Sequence, residues 1–536
     1  MSTAAAIKSD KVVLCGVHYR KIEAGFGLDS LNEVFSKRAE TVILGGNKAK
    51  GDADGFSYWM CEPREILELK TDCEEPFGKL QGTIDKYKLK NIDEVPLPRA
   101  AGLTDAEAAM RPGVQNDIGG LPAGIFLGGW AGYFSYELGG CIERIAGRAV
   151  DDLKMPLVRL GFYDKVICYD HKQNHFWLIA LEIDGDSQSG EEKIDELEGV
   201  LEQASQIKIS KVRERIAVDI EADSVECNMT RGYYLEAVER IKRLICDGDV
   251  YQVNFSQRFC CDYTARPVEL FHWQNRHNPC GYSAFLSSDE FAIVSASPEM
   301  FITVADNWIS TKPIKGTRRR FEPISDENIT ANERNYRELA ESEKEQAELN
   351  MIIDLERNDL VKVCEYGTRR VVQGRTIEVY PTVFHAVATV GGQLRRGVKF
   401  CDILKAMFPG GSITGAPKVS AMNIIDETEP TQRGVYTGSI GYVGVDGSVC
   451  LNIAIRTVII SGQKAYVQVG GGIVADSEPS AEYEETITKA RALLDGIKAV
   501  GCLNTKTQKH EESKKLKVKS KNQSLKFKTE TADYAD

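Results

Sequence analysis

Residues 439–474 decide the fold class, and they read SIGYVGVDGSVCLNIAIRTVIISGQKAYVQVGGGIV. This stretch contains three apolar runs, at 439–445, 449–460 and 465–474, which are rich in valine, isoleucine and tyrosine. Runs of this kind predict three successive β-strands. In the middle run, the alternation of side chains along a single strand would place Arg456 on a face with few other polar groups.

Further strands are predicted upstream of this stretch, at VYQVNFSQRF (250–259), FAIVSAS (291–297) and MFITVAD (300–306). Apolar periodicity predicts helices at 233–246, 340–357 and 480–500. Strands outnumber helices and occur in runs. This pattern is typical of an α+β protein with large antiparallel sheets.

Three regions are distinguished along the chain. Residues 1–215 alternate apolar patches with turn signals, and an acidic, helix-prone stretch at 184–210 marks a candidate boundary. Residues 225–500 form a denser second region. The tail, 503–536, carries 9 lysines against 5 acidic residues and lacks apolar periodicity, which predicts a disordered, solvated segment.

The charge and cysteine content restrict the class of protein. The 536 residues include 67 basic and 79 acidic side chains, a net charge of −12, so the chain lacks the basic footprint of a nucleic-acid binder. No window approaches 18 consecutive apolar residues, and the first residues do not form an export signal. The 14 cysteines are scattered without a CxxC pair, which favours free thiols in a reducing cytoplasm. These features predict a cytoplasmic, enzyme-sized protein.

Three glutamates are candidate metal ligands. Glu348 lies on a helix face that becomes apolar from this residue onward, so its carboxylate must be paired or bound to a metal. By spacing alone, an ion pair with Lys344 one turn earlier is the simpler interpretation. Glu482 and Glu485 are neighbours in the first turns of the last predicted helix. They are either favourable charges at a helix N-terminus or two oxygen ligands suited to Mg²⁺.

Glycine-rich and basic segments supply candidate substrate-binding groups. FPGGSITGAPK (408–418) is not a nucleotide-binding loop, because Ala416 stands where that loop requires lysine. This segment and 469–474 predict either tight turns or backbone cradles for a carboxylate. Arg456 suits a carboxylate clamp or is merely solvated. Lys315 lies in TKPIKGTRRR (311–320) and is either a nucleophile with a lowered pKa or part of a basic loop.

Together these segments resemble the chorismate-utilising enzymes, a family that includes component I of anthranilate synthase, component I of aminodeoxychorismate synthase, isochorismate synthases and salicylate synthases. The resemblance rests on SASPEMF (295–301), PIKGTRRR (313–320), AELNMIIDLERNDL (347–360), FPGGSITGAPKVSAM (408–422), RGVYTGSIGYV (433–443), LNIAIRT (451–457) and GGGIVADSEPSAEYEET (470–486). GGWAGYFSYELG (128–139) is similar to an N-terminal segment of these enzymes. The resemblance implies two large, mostly antiparallel sheets packed together, with surrounding helices and with both halves of the chain in one body.

The resemblance also implies a role for individual residues. Glu348, Glu482 and Glu485 would bind Mg²⁺, and the metal would hold the ring carboxylate of chorismate. Glu299 would protonate the C4 hydroxyl as it departs. The implied substrate-binding positions are Arg456, Tyr436, Ser412, Gly470, Gly471, Gly472, Lys489 and His385.

Lys315 distinguishes two members of this family. PIKGT is the signature of aminodeoxychorismate synthases, whereas anthranilate synthases usually carry alanine in place of the lysine. The resemblance therefore implies that Lys315 attacks C2 of chorismate and that ammonia then adds at C4, giving 4-amino-4-deoxychorismate for p-aminobenzoate and folate synthesis. Anthranilate formation is the alternative. Gln252 stands where isochorismate and salicylate synthases carry a water-activating lysine, which favours amination.

The chain contains no recognisable glutaminase signature. The resemblance therefore implies that a separate glutamine amidotransferase subunit delivers ammonia and that a separate lyase completes p-aminobenzoate. Neither nucleic acid nor a membrane is an expected partner. Glu356 stands where the family commonly carries an apolar residue, which is a departure from the pattern.

Overall fold

The computed structural model describes residues 12–23, 25–46, 55–90, 120–209, 212–220, 225–321, 325–380 and 382–501. The Lys-rich tail, 503–536, lies outside the described residues, and its disorder stays a prediction.

Within these ranges the strands are β1 (Val13–Glu23), β2 (Thr41–Leu44), β3 (Phe56–Met60), β4 (Glu65–Leu69), β5 (Tyr87–Leu89), β6 (Gly129–Phe134), β7 (Val158–Tyr163), β8 (Lys165–Asp170), β9 (His175–Ile183), β10 (Glu226–Cys227), β11 (Gln252–Asp262), β12 (Tyr282–Ser287), β13 (Phe291–Ser297), β14 (Met300–Ala305), β15 (Trp308–Lys312), β16 (Ile314–Arg319), β17 (Arg370–Val379), β18 (Val383–Gln393), β19 (Gly415–Ala416), β20 (Ser439–Gly444), β21 (Val449–Asn452), β22 (Thr457–Ser461) and β23 (Lys464–Ile473). The helices are α1 (Leu28–Phe35), α2 (Pro76–Ile84), α3 (Gly190–Ser205), α4 (Arg231–Cys246), α5 (Pro267–His277), α6 (Asp326–Glu341), α7 (Glu343–Leu360), α8 (Phe400–Met407), α9 (Lys418–Thr428) and α10 (Pro479–Ala499). Short 3-10 helices cover Tyr136–Cys141 and Gly411–Ile413.

The strands form two large sheets. The first sheet has 13 strands in the order β10-β11-β23-β22-β13-β12-β2-β3-β8-β9-β1-β5, with β19 beside β11. The second sheet has 10 strands in the order β16-β18-β15-β14-β21-β20-β6-β7-β4, with β17 beside β18. The β1–β5 pair is parallel, and neighbours such as β11–β23 and β6–β20 are antiparallel. The predicted α+β class with two large, mostly antiparallel sheets is confirmed.

Both sheets combine strands from the two halves of the sequence. In the first sheet β2 pairs with β12, and in the second sheet β6 pairs with β20. The regions 1–215 and 225–500 are therefore joined by backbone hydrogen bonds within both sheets. The division of the sequence into these regions stays a prediction.

Apolar side chains fill the space between the two sheets and also cover the outer face of the first sheet. Val42 of β2 faces the second sheet and belongs to the same core cluster as Trp130 of β6. Its neighbour Ile43 points the opposite way and packs in a second cluster with Leu494 of α10. This alternation follows from the two-residue period of a strand, and it gives the first sheet an apolar surface on both faces.

The segment 449–460 was predicted as one strand, and this prediction is wrong. β21 lies in the second sheet, β22 lies in the first, and the chain crosses between them over four residues. At the crossing, the Ile453 amide donates to the Glu299 carbonyl at 3.0 Å, and Arg456 adopts a left-handed backbone conformation with φ 50°. Backbone groups at the crossing therefore form hydrogen bonds outside a continuous ladder of paired strands. The alternation of side chains along the sequence does not reveal this change of hydrogen-bond partners.

The predicted helix 340–357 is two helices. α6 ends at Glu341, and the Ser342 hydroxyl caps α7 by accepting a hydrogen bond from the Glu345 amide at 3.3 Å. The other two predicted helices are confirmed, as α4 and α10. No helix within the described ranges combines the length and apolar character needed to span a bilayer.

Candidate active site

Lys315, Glu299 and Ser412 come together although they are distant in sequence. The Ser412 hydroxyl donates a hydrogen bond to Oε1 of Glu299 at 2.7 Å. Nζ of Lys315, on β16, donates to the Ser412 carbonyl oxygen at 3.2 Å. Glu299 also accepts from the Ile314 amide at 3.4 Å, next to Lys315. A single serine therefore contacts the predicted acid and the predicted nucleophile.

The surroundings shift both groups toward their uncharged forms. Burial raises the pKa of Glu299 above its usual range, although the Ser412 hydroxyl and the Lys315 ammonium oppose this. Burial lowers the pKa of Lys315, against the attraction of Glu348 and Glu299. A protonated carboxyl group can donate a proton, and an uncharged amine can act as a nucleophile. The two shifts favour acid chemistry at one group and nucleophilic chemistry at the other.

A second set of charged side chains lines the triple-glycine segment of β23. Nζ of Lys489 donates to the Gly470 carbonyl at 2.8 Å and lies 2.6 Å from Oε1 of Glu485. A Cβ atom on Gly471 would lie 3.1 Å from Oε2 of Glu482 and 3.8 Å from Oε1 of Glu485. Both carboxylates of α10 therefore face the glycine segment at close range.

The pKa values of the two carboxylates on α10 are shifted in opposite directions. Burial and the nearby charge of Glu485 raise the pKa of Glu482, against a hydrogen bond from Ser477. Burial would also raise the pKa of Glu485, but Lys489 and other lysines, including Lys315, outweigh it and hold this pKa low. Because the charge of Lys315 acts on Glu485, the two clusters belong to one site.

The three predicted metal ligands suit a hard divalent cation in chemistry and charge. The expected ion pair between Glu348 and Lys344 is absent from the described residues, and the Lys344 charge acts on Glu482 and Glu485 instead. Repulsion between two neighbouring carboxylates is what a bound cation would relieve. In the described part of the chain, however, no three acidic, histidine or cysteine side chains converge as a ready ligand group. Magnesium binding stays a proposal.

Arg456 and His385 border the pair formed by Glu299 and Lys315. The Arg456 guanidinium opposes the upward shift in the pKa of Glu299. His385, on β18, is buried, and its Nδ1 lies 2.8 Å from the Thr317 hydroxyl. Burial, with a contribution from Arg456, lowers the pKa of His385 to about 3. This histidine is therefore a neutral hydrogen-bonding group at physiological pH.

A buried ion pair below the site was not predicted from the sequence. Nη2 of Arg433 lies 2.6 Å from Oε1 of Glu429 and donates to the Asn254 carbonyl at 2.6 Å. Nη1 of Arg433 donates to the Ile413 carbonyl at 3.1 Å, within the 3-10 turn that carries Ser412. The Tyr436 ring, predicted to bind substrate, lies 5.8 Å from the Arg433 guanidinium. The four-residue spacing of Glu429 and Arg433 could have indicated this ion pair, because residues four apart on a helix are neighbours.

Gln252, at the start of β11, has unsatisfied polar atoms. It is fully buried, and neither atom of its side-chain amide has a hydrogen-bond partner among the described residues. A Cβ atom on Gly472 would collide with this amide, so the side chain lies against the glycine segment. A free amide in this position can position a small polar reactant.

Comparison with known proteins identifies the class of enzyme. Residues 66–495 match the family described as chorismate binding enzyme. Because the match spans most of the chain, this protein belongs to that family.

Relatives with two different activities are similar to this chain. Aminodeoxychorismate synthase component 1 of Bacillus subtilis (strain 168) is 39% identical over 368 residues, 69% of this chain and 76% of the relative. Anthranilate synthase component 1 of Pseudomonas putida is 39% identical over 388 residues, 71% of this chain and 76% of the relative. The crystal structure of anthranilate synthase component I from Streptococcus pneumoniae TIGR4 is similar with a TM-score of 0.65 and 28% identity, covering 82% of this chain and 92% of that chain. Overall identity does not distinguish the two activities.

Proposed function

We propose that this chain is component I of an aminodeoxychorismate synthase, which converts chorismate and ammonia into 4-amino-4-deoxychorismate and water. The observation that carries the proposal is the contact of one residue, Ser412, with both Lys315 and Glu299. A nucleophilic amine and a protonated carboxyl group are the two functions that such a substitution requires. Membership in the chorismate binding enzyme family supplies the substrate class.

The proposed reaction has two displacement steps. In the first, the lone pair of Lys315 forms a bond to C2 of chorismate, the two conjugated ring double bonds shift, and the C4–O bond breaks. Glu299 donates its proton to the departing hydroxyl group, which leaves as water. In the second step, ammonia forms a bond to C4, both ring double bonds return to their original positions, and the C2–N bond to Lys315 breaks. The proton lost by the new C4 ammonium group restores the acid form of Glu299.

Glu348, Glu482 and Glu485 are the residues proposed to hold Mg²⁺. The bound ion would neutralise the ring carboxylate of chorismate and fix its position. Arg456 is proposed to take the other carboxylate of the substrate, since a guanidinium group can bind both oxygens of a carboxylate. The backbone of the glycine segment, 470–472, lies close to the α10 carboxylates and is available to the same substrate. Together these groups give an acidic protein a local site for a dianion.

Anthranilate synthesis is the second candidate, because an anthranilate synthase component is as similar to this chain as the aminodeoxychorismate synthase component. Lys315 favours the first candidate, since its lowered pKa suits a nucleophile. The free amide of Gln252 is consistent with ammonia as the second reactant, because a neutral amide does not activate water as an amine base can.

Two further proteins are proposed to act with this chain. The relatives are named as component 1, which supports a second component, and we propose a glutamine amidotransferase that releases ammonia for this site. A separate lyase would convert 4-amino-4-deoxychorismate to p-aminobenzoate for folate synthesis.

The product identifies the reaction. The purified chain is incubated with chorismate, Mg²⁺ and ammonium, and products are followed by mass and fluorescence. We expect a species that becomes p-aminobenzoate only after a lyase is added. Fluorescent anthranilate formed without a lyase, together with pyruvate, would establish the second candidate instead.

Lys315→Ala tests the covalent step, with Lys399→Ala as the matched control. Lys399 is an exposed lysine that pairs with Asp85 at 2.8 Å. We expect Lys315→Ala to reduce aminodeoxychorismate formation by a factor of at least about 10², while the control keeps full activity. Undiminished synthesis by Lys315→Ala would rule out the adduct.

A further inference from the structure

Glu356 is a buried carboxyl group with an incomplete set of partners. It lies on α7, two turns after Glu348, and only 2% of its surface is exposed. Oε1 accepts a hydrogen bond from the Gly411 amide at 3.2 Å. Oε2 has no hydrogen-bond partner among the described residues. A buried carboxyl group that is only half satisfied is costly to retain unless its charge or its position has a use.

The hydrogen bond from Gly411 connects Glu356 to the proposed catalytic residues. Gly411 precedes Ser412, whose hydroxyl binds Glu299 and whose carbonyl binds Lys315. A Cβ atom on Gly411 would lie 2.5 Å from the Leu355 side chain and 3.1 Å from Oε1 of Glu356. The 3-10 turn therefore rests directly on α7, and Glu356 fixes the peptide that determines where Ser412 lies.

Three charged groups act on Glu356. Lys418, on α9, attracts its negative charge, whereas Asp359 on the same helix and Glu299 repel it. Lys418 is shared, because its Nζ lies 2.6 Å from Oδ2 of Asp359 and donates to the Met407 carbonyl at 2.7 Å. Burial is the largest influence and raises the pKa of Glu356 to about 7. Because the negative charge of Glu299 is one cause of the raised pKa of Glu356, ionisation of Glu299 favours the protonated form of Glu356.

We propose that Glu356 is a positioning residue that holds the Gly411–Ile413 turn under Ser412 and thereby fixes the Ser412 hydroxyl on Glu299. This inference rests on the proposed function, in which Glu299 must donate a proton. Glu356 does not touch the substrate. The hydrogen bond from Gly411 gives a reason for a carboxyl group at this buried position of α7.

Three variants separate charge from position. Glu356→Gln retains an acceptor for the Gly411 amide and removes the charge, whereas Glu356→Leu removes both. Asp354→Asn is the matched control, because Asp354 is a solvent-exposed carboxylate on the same helix that pairs with Arg357. A purely structural role would be preserved in Glu356→Gln.

The first measurement does not depend on activity. The infrared absorption of protonated carboxyl groups is followed against pH in the full chain, and the Glu299 signal is assigned by its loss in Glu299→Gln. We expect the titration midpoint of Glu299 to rise by about one pH unit in Glu356→Leu, because the Ser412 hydroxyl that lowers its pKa is no longer held in place, with Glu356→Gln and Asp354→Asn at the wild-type value. An unchanged midpoint in Glu356→Leu would overturn the inference.

The second measurement is the pH profile of kcat for chorismate consumption. We expect the profile of Glu356→Gln to coincide with that of the wild type, because glutamine still accepts the hydrogen bond from Gly411, with KM little changed in all variants. Glu356→Leu is expected to lose about tenfold or more in kcat at every pH, because Ser412 is no longer held. If the wild-type chain consumes no chorismate, the proposed function fails, and the infrared midpoint still decides the role of Glu356. An equal loss of kcat in Glu356→Gln and Glu356→Leu would contradict the inference.

Discussion

The two sides of the site reach their charge states by different physical routes. The inner side comprises Glu299, Glu356 and His385, each no more than 4% exposed. The outer side contains Glu485 and Lys489, whose side chains are 53% and 46% exposed. Burial is the largest influence on every titrating group of the inner side. On the outer side, neighbouring lysines outweigh burial and keep Glu485 ionised.

The comparison shows how one site can hold uncharged and charged groups together. Low dielectric surroundings disfavour charge and are little affected by salt, so the pKa values of the inner side are shifted toward the neutral forms. Charges at the outer side remain close to water and respond to ions. A proton donor is thus separated from the region proposed to bind a cation and an anionic substrate. Substitutions on the two sides should therefore have different consequences.

Removing the inner acid should have the largest effect. Glu299→Gln keeps a group that can accept the hydrogen bond from Ser412 but cannot donate the proton required by the proposed reaction. We expect kcat to fall by about 10²–10⁴-fold, with little change in KM, in steady-state assays of chorismate consumption. Glu290→Gln, an exposed change in the turn before β13, is the control. Wild-type turnover by Glu299→Gln would exclude Glu299 as the acid.

The ion pair below the inner side should matter most for stability. Arg433→Met leaves Glu429 buried without its partner, which should lower the free energy of unfolding by about 3–5 kcal/mol. The double variant Arg433→Met, Glu429→Met removes the isolated charge and should recover much of this loss. Urea unfolding of both variants at one pH measures the difference. Equal stability of the single and double variants would show that the pair does not act through its buried charges.

Glu356 should make stability depend on pH. Its folded-state pKa of about 7 lies above the ordinary value of 4.5, so the folded chain binds the proton more tightly than the unfolded chain. Stability contributed by this group is present at low pH and is lost as the pH rises from about 4.5 to about 7. The stability of Glu356→Gln relative to wild type should therefore increase by about 3 kcal/mol between pH 4.5 and pH 8. Thermal unfolding at both pH values measures this change, and a pH-independent difference would contradict it.

On the outer side, a single carboxylate should have a smaller effect. Glu485→Gln is expected to raise the Mg²⁺ concentration needed for half-maximal activity by about tenfold, with little change in unfolding free energy. The neighbouring exposed residue Glu484 supplies the control variant, Glu484→Gln. An equal rise of the required Mg²⁺ concentration in both variants would indicate a general effect of charge. Glu485 would then not be a specific ligand of the ion.

Much of the architecture could be predicted because periodicity is a local property. The strands around 291–305 and the helices α4 and α10 are found where apolar patterns indicated them. The pattern failed at 449–460, where a continuous apolar run contains a crossing between two sheets. A run of apolar residues indicates that a segment is buried, but it does not indicate which sheet the segment joins by backbone hydrogen bonds.

The candidate site was predictable only in part, for a similar reason. Its residue types were found by resemblance, and the structure brings Lys315, Glu299 and Ser412 into contact. Arg433 gave no comparable signal, because its importance depends on carbonyl groups supplied by β11 and the 3-10 turn. Such contacts join residues far apart in the chain.

The α+β class of this protein, the family to which it belongs and the identity of the groups available for chemistry could all be predicted from the amino-acid sequence. Those properties follow from side-chain type and spacing, which are fixed along the chain. Only the tertiary structure decided which carboxyl groups are enclosed and which face water. That distinction sets the charge state of Glu299 and Glu485 in opposite directions, because the free energy of a charge depends on the solvent and partners around it.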